Sequence, residues 1–374
     1  MTSLTFISRP RIVALAVYVG SFYATPRLYA ASLLETMDTE VSSLYQKSRD
    51  AVVKVHSQRN IILGGMAIGP THRVGTGFFV DGEGRLLTAA TVVNGAENCW
   101  INWGSQSVVA KVLGADPDSN IAVLQVDPEK CVGVGNQTPF LAKGNSDEVK
   151  IGSMVIAIGF PYNLPSAPSV GFVSGFDIKC GSHMFMTSHF RAGCRLAPGE
   201  GGGPLLNARG QVVGIAVAAH GDDQCYVLPI NAARKVVDDI LQYGRVQHGW
   251  VGLSVSDRQI PAGSTAEGPW QVFVQEIYSN TPAVEAGFRT QDILLTIGTN
   301  CVRRSTDVLN RMFLHHWNER IEFTVLRNAE TQAITVVVGK RPANEILVSL
   351  PPQLPDPRSS SPRLPLLPTS ALQH

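Results

Sequence analysis

The sequence predicts a mostly β domain, built as a sandwich or barrels, followed by a small α+β module. Three observations carry that expectation. Short apolar runs alternate with turn residues from Ala51 to Val217, the texture of many short strands. The 35 glycines and 23 prolines supply the turns such a chain needs. Near Gln247 the pattern changes to strand-like and helix-like runs in alternation. At roughly 100–200 residues per domain, 374 residues make two domains plus tails.

Taken in order, residues 1–31 read as a targeting segment. Arg9 and Arg11 precede an apolar run from Ile12 to Ala24, and no acidic residue occurs before Glu35. The run is shorter than the about 20 residues that span a bilayer and fits the apolar stretch of a secretory signal, cleaved near Ala24, Ala30 or Ala31. A mitochondrial transit peptide is the alternative. Residues 32–50 carry Leu33, Leu34, Met37, Val41 and Leu44 at helical spacing.

The β domain is expected over 51–244. Its strands are placed at 51–56, 77–81, 84–89, 107–113, 121–126, 154–159 and 211–217, with turns at Asp81-Gly82 and Arg209-Gly210. A closing helix is expected to be capped by Asn231 and to bury Ala232, Val236, Val237, Ile240 and Leu241. The second module, 247–341, has strands at 271–275, 292–297, 321–326 and 333–338 and helices at 281–286 and about 305–315. From Pro342 to His374 the chain holds eight prolines and a run of three serines, the composition of an extended or disordered tail.

A formal net charge of +1 gives no electrostatic reason to expect nucleic acid or acidic lipid as a partner. Apolar residues at 44% against 16% charged are enough for real cores. The six cysteines, Cys99, Cys131, Cys180, Cys194, Cys225 and Cys301, form no CxxC pair, which argues against a zinc ribbon or a thioredoxin-type site. Pairing of Cys180 with Cys194 or of Cys194 with Cys225 suits the layout, as do buried free thiols. No HExxH pattern is present, and the adjacent His315 and His316 are expected on different faces of a helix, so no metal site and no cofactor is expected.

Six segments, in order, resemble the HtrA (Deg) family of serine proteases. VGTGFFVDGEG at 74–84 is similar to that family's opening hairpin, and LLTAATVV at 86–93 stands where the family has Thr-Asn-Asn-His-Val-Val. SNIAVLQV at 119–126 resembles its Asp-Ile-Ala-Val-Leu strand, and VKIGSMVIAIGFP at 149–161 a Val-Ile-Ala-Ile-Gly-Asn-Pro run. PGEGGGPL at 198–205 lies on its Pro-Gly-Asn-Ser-Gly-Gly-Pro-Leu loop, and YVLPIN at 226–231 on a Phe-Ala-Ile-Pro-Ile segment. The resemblance runs from about Arg49 to Arg341 and implies a trypsin-like double β-barrel of two six-stranded barrels followed by a PDZ domain.

The same resemblance locates three catalytic positions and finds each replaced. The general base position is Thr91, the orienting carboxylate position is Asn120 and the nucleophile position is Gly201. A threonine cannot take a proton near neutral pH, an asparagine carries no charge to steady an imidazolium, and a glycine has no side chain. Losing the serine or the histidine alone costs a worked serine protease about a million-fold in turnover. Gly199, Glu200 and Gly201 keep the backbone amides of an oxyanion loop, or are simply a glycine-rich turn. Relocated groups are sought among His183, His189, His220, Ser182, Ser188 and Cys194.

In the second module Trp250, Val251, Gly252 and Leu253 resemble the PDZ loop that takes a peptide's terminal carboxylate on backbone amides. SNTPAVEAGF at 279–288 is similar to the family's Ser-Pro-Ala-x-x-Ala-Gly-Leu helix, and Gln291 stands where the following strand has a glycine. The expected function is that of a non-catalytic homologue binding polypeptide C-termini or unfolded segments, as scaffold, holdase or regulator of an active protease. The resemblance also implies homo- or hetero-trimers built on N-terminal aromatics, here Tyr23, Tyr29 and Tyr45, and a periplasmic location. The rival readings are an active endopeptidase with a relocated nucleophile and a purely structural subunit.

Overall fold

The structure, a computed structural model, describes residues 32–63, 66–133, 137–180, 183–260 and 269–341. The targeting segment, the C-terminal tail, Ser182, Tyr23 and Tyr29 lie outside these residues, as do the side chains of Cys180 and His183. The chain divides into two compact units, Met1–Glu40 and Val41–His374. The first holds the N-terminal half of helix α1 (Leu33–Ser48), which begins where Ser32 and Glu35 bond reciprocally to each other's amides.

The second unit opens with β1 (Val52–Leu63), β2 (Met66–Phe79) and β3 (Arg85–Ala89), followed by the short helix α2 (Ala90–Val93). Next come β4 (Asn98–Trp103), β5 (Gln106–Val109), β6 (Lys111–Asp116) and β7 (Ile121–Gln125). These seven strands form one sheet in the order β5-β4-β1-β2-β3-β7-β6. The expected strand at 107–113 is therefore two. Its first half pairs with β4 and its second with β7, with the break at Ala110.

β8 (Met154–Gly159), β9 (Ala167–Cys180), β10 (His183–Ala192), β11 (Pro204–Leu206), β12 (Val212–His220) and β13 (Gln224–Pro229) close into a six-stranded barrel. The expected trypsin-like fold is present: one closed six-stranded barrel and a sheet counted as seven strands because one run, broken at Ala110, supplies both of its end strands, β5 and β6. One core joins the two: Phe78, Leu87 and Ile121 from the sheet pack with Ile156, Ile158, Ile215 and Leu228 from the barrel.

Helix α3 (Ile230–Tyr243) seals this core with Val236, Val237 and Ile240. Two expectations for it fail. Its N-cap is Pro229, whose ring fixes φ without offering a cap bond, while Asn231 sits inside the helix and donates to Asn145. Leu241 is exposed, one residue past the buried stripe.

The third part contains β14 (Gly249–Trp250), β15 (Leu253–Gln259), β16 (Trp270–Ile277), α4 (Pro282–Ala286), β17 (Ile293–Ile297), β18 (Asn300–Cys301), α5 (Ser305–Leu314), β19 (Arg320–Arg327), β20 (Glu330–Val337) and β21 (Gly339–Lys340). The main sheet runs β15-β16-β17-β19-β20, so β15 is an edge. Val272, Val274, Leu294, Phe323 and Val325 form its core with Val308 and Met312 of α5.

Polar bridges tie this part to the barrel, to α3 and to β6. Asn310 Oδ1 accepts from Thr187 Oγ1 at 2.8 Å and from the Ser188 amide at 2.7 Å. His316 Nε2 meets buried Asp239 at 2.7 Å, and His248 Nε2 meets Asp116 at 3.0 Å. His315 and His316 do not diverge as expected. The helix ends at Leu314, and both Nδ1 atoms turn onto the two oxygens of Glu319 at 2.7 Å.

Candidate functional site

Thr91, Asn120 and Gly201 come from three different elements, and the fold brings them to one place. Thr91 lies on α2, directly after β3. Asn120 immediately precedes β7 in a left-handed conformation, φ 56°, which asparagine tolerates better than most residues. Its Oδ1 accepts from the Thr91 amide at 2.9 Å, and its Nδ2 donates to the Val217 carbonyl at 2.8 Å. The Ala90 amide bonds the Asn120 carbonyl at 3.0 Å, locking α2 to the start of β7. Residue 75 of β2 touches both sides of the cleft: a Cβ added there would run into Val92 and lie 3.1 Å from the Gly201 carbonyl.

The loop around Gly201 is held tightly from below. The Gly201 carbonyl accepts from the Thr76 amide at 3.0 Å, Thr76 Oγ1 donates to the Gly199 carbonyl at 2.8 Å, and the Gly202 amide donates to Ala216 at 2.8 Å. Glu200 folds back to accept from the Ala197 amide at 2.6 Å, and burial pushes its carboxyl above the usual range. Among the described residues the amides of Gly199 and Gly201 have no acceptor.

The three glycines differ in what holds them. Gly199 and Gly202 sit at φ +96° and +88°, and a Cβ at either would overlap backbone, the Phe160 carbonyl and the Ala89 amide respectively. Gly201 has an ordinary φ, and a Cβ built on it meets nothing within 4 Å. The turn therefore demands glycine at 199 and 202 and has room for a side chain at 201.

None of the relocated candidates with a described side chain forms a nucleophile and base pair. Cys194 is buried, its Sγ faces the Ser169 carbonyl at 3.7 Å, and burial pushes the thiol up to about 11. His189 is buried, stacked on Phe185 at 3.9 Å, with Nδ1 3.0 Å from the Thr187 carbonyl. Ser188 is committed through its amide to Asn310, and His220 packs edge-on against Tyr226. Cys194 and Cys225 are free thiols. Among the described residues one group, Asp116, Asp118 and His248, brings three possible metal donors within 4.8 Å, a grouping that the sequence reading missed. His248 and Asp116 already bond each other there directly.

In the third part, Trp250 pairs with Gly339 while the Val251 and Gly252 carbonyls accept from Ala283 at 2.8 Å and Tyr278 at 3.0 Å. Among the described residues the Val251 and Gly252 amides have no acceptor. Gly252 sits at φ +84°, and a Cβ added to it would overlap the Thr281 side chain, so the demand for glycine comes from inside the fold. Gln291 adopts φ +71°, the conformation of the glycine it replaces, and its Oε1 accepts from Arg258 at 2.6 Å. Tyr45 bonds through its hydroxyl to the Ser166 carbonyl at 2.7 Å.

An amide-bearing glycine loop set beside the ends of β3 and β7 is the arrangement of the trypsin-like peptidases. Residues 75–215 match the trypsin-like peptidase domain family and residues 249–338 match the PDZ domain family. The chain holds a trypsin-like peptidase domain and one PDZ domain, and relatives similar to it in sequence are named HhoB and DegP-like serine proteases.

A putative serine protease HhoB from Synechocystis is 28% identical over 81% of this chain and 79% of its own length. A probable periplasmic serine endoprotease, DegP-like, from Chlamydia trachomatis is 28% identical over 72% of this chain but only 55% of its own length. Among solved structures, the HtrA-type protease AlgW with a decapeptide superposes with TM-score 0.62 at 22% identity, over 81% of this chain and 99% of AlgW. AlgW with a tripeptide gives TM-score 0.64 at 23% identity over 81% and 98%. At that identity the likeness carries the fold alone.

Proposed function

We propose that this chain is a non-catalytic member of the HtrA type that binds polypeptide C-termini or unfolded segments through its PDZ domain. It acts as a scaffold, holdase or regulator of an active protease. The observation that carries this reading is the contrast within one loop. Gly199 and Gly202 are glycines the turn needs, whereas Gly201, at the nucleophile position, occupies open space that a serine would fill without strain. The base and acid positions support it too, since Thr91 and Asn120 are bonded to each other and to backbone with no imidazole between them. Without an imidazole or a hydroxyl, only binding and the two free amides of Gly199 and Gly201 remain to stabilise an oxyanion. The PDZ reading draws on the free amides of Val251 and Gly252 and on the peptides in the AlgW structures.

In this proposal the protein is exported, as the periplasmic naming of its relatives suggests. It assembles as a homo- or hetero-trimer with HtrA-like subunits. The test is incubation of the purified chain with unfolded casein from pH 5 to 9, beside a Thr91→His, Asn120→Asp, Gly201→Ser triple variant. The expected result is a silent wild type, a triple variant that cleaves, and wild-type binding to C-terminal peptides by fluorescence anisotropy. Cleavage by the wild type at a rate comparable to the triple variant overturns the proposal.

A further inference from the structure

We propose that the PDZ groove selects polypeptide C-termini carrying carboxylate side chains about three to five residues before the terminus. This rests on the reading of the Trp250–Leu253 loop as the terminal-carboxylate pocket. The direction of the groove follows from the contacts of β15 and α5. β15 leaves the loop at Leu253 and runs to Gln259. Helix α5 lies antiparallel to it. Its last turn sits at Gly249, where an added Cβ would lie 2.7 Å from the Met312 carbonyl, and its first residue, Ser305, donates its amide to Asp257 at 2.7 Å. Among the described residues β15 pairs only with β16, leaving its other edge for an added strand. At about 3.3 Å per residue, a peptide whose last residue is level with Leu253 has the residues four and five before its terminus level with Asp257 and Arg258.

Guanidinium groups flank the edge of β15 at that end, Arg304 on the α5 side where Asp257 points and Arg258 on the opposite face, so that an added strand, whose side chains alternate, meets both. Arg258 lies 4.5 Å over the Phe273 ring and donates to Gln291, a neutral partner. Arg304 lies 4.2 Å over the Trp270 ring and pairs with Asp257 at 3.0 Å. Arg303 stands next to it, exposed. Among the described residues the two nearby carboxylates are already engaged. Asp257 accepts from Ser305 N at 2.7 Å and Ser305 Oγ at 3.1 Å as well as from Arg304, and Asp307 accepts from the Arg303 and Arg304 amides at 2.8 and 3.0 Å. Among the described residues Arg258 and Arg303 have no carboxylate partner. A guanidinium laid flat on an aromatic ring is fixed in place while its edge N–H groups still face outward, the geometry that takes a carboxylate in a fork.

The experiment uses the full chain and three fluorescein-labelled octapeptides. All end in the same apolar tripeptide, Leu-Val-Val, and carry Glu, Gln or Lys at the fourth to sixth positions from the end. At 50 mM salt the Glu peptide is expected to bind roughly five-fold more tightly than the Gln peptide, and the Lys peptide more weakly than either. The spread shrinks at 0.5 M salt. In Arg258→Gln the Glu preference falls to within about two-fold while the Gln peptide binds as before. Equal binding of the three peptides, or equal binding of an amidated Glu peptide and its free acid, overturns the proposal. If no peptide binds at all, the carboxylate-pocket reading fails first and this proposal fails with it.

Discussion

Gly201 in the cleft and Gly252 in the PDZ loop look alike in sequence, each a glycine inside a loop built to present backbone amides. They differ in what the fold asks of them. Gly252 is held at φ +84° against the Thr281 side chain, so its missing Cβ is a packing requirement. Gly201 has ordinary backbone and empty space around it, so nothing in the fold explains its missing side chain. A loop maintained for its shape keeps its demanding positions, and the PDZ loop does. In the cleft, the position free to carry a nucleophile is the one that carries none.

The sharpest way to break this comparison is to fill the glycines one at a time. Gly202→Ala puts a Cβ onto the Ala89 amide and 2.5 Å from the Thr76 carbonyl, atoms of two fixed strands. It is expected to cost about 4 kcal/mol or to prevent folding. Gly252→Ala meets a side chain that can shift in part, and is expected to cost about 3 kcal/mol. Gly201→Ser should fall within about 0.5 kcal/mol of wild type, because the backbone already suits an L-residue. Urea unfolding of the three variants ranks them, and a Gly201→Ser as damaging as Gly202→Ala would make Gly201 a structural glycine after all.

The next effect concerns the junction between the two domains. Burial alone would raise the Asp116 carboxyl, but hydrogen bonds from His248 and Ser119 outweigh it and hold it below the ordinary value. A carboxyl held low when folded stays charged at pH values where the unfolded chain has already bound a proton. Its stabilisation is therefore full above the unfolded value of about 3.9 and is lost as pH falls from there through the depressed value. Asp116→Asn should cost about 2 kcal/mol at pH 7 and flatten the loss of stability below pH about 4. Urea midpoints taken as a function of pH measure both, and an unchanged acid limb would remove Asp116 from the junction.

Much of the fold was legible because local pattern decided it. Met154–Gly159 is a strand at its expected bounds, and α5 starts at Ser305 as expected. The misses are places where partners decided. The run 107–113 is one apolar stretch that serves two different neighbours, which alternation alone does not reveal. The long strands β9 and β10 went unread because Gly171, Gly175 and Ser174 interrupt β9 and it turns Val170, Phe172 and Phe176 outward. The cleft positions were legible as aligned motifs. That Gly201 is sterically free, and that His315 and His316 converge on Glu319, depend on neighbours distant in the chain or on where a helix stops.

A moderate effect is expected at Asn120. Its amide is fully used, Oδ1 accepting from Thr91 and Nδ2 donating to the Val217 carbonyl. Asn120→Asp keeps the first bond and sets a carboxylate oxygen against a carbonyl oxygen in place of the second. The expected cost is about 1–2 kcal/mol. The acid position is thus less ready for its catalytic residue than Gly201 is, and a Thr91→His, Gly201→Ser double variant tests whether that cost limits the triple. A free Asn120→Asp substitution, read by the same unfolding curve, would place both positions on an equal footing.

The smallest effect comes from Gln291, which completes the series of positive-φ positions. Here the conformation calls for glycine, φ +71°, and a glutamine occupies it at the cost of backbone strain. In return its side chain holds Arg258, an exposed bond at 2.6 Å. Relief of left-handed strain contributes about 1 kcal/mol, and the lost exposed hydrogen bond about 0.5 kcal/mol. Gln291→Gly is therefore expected to gain about 0.5 kcal/mol, a rise of about one degree in Tm read by differential scanning calorimetry. If the variant is instead less stable, the contact with Arg258 outweighs the strain, and the glutamine is better understood as a support for that guanidinium at the groove than as a tolerated substitution.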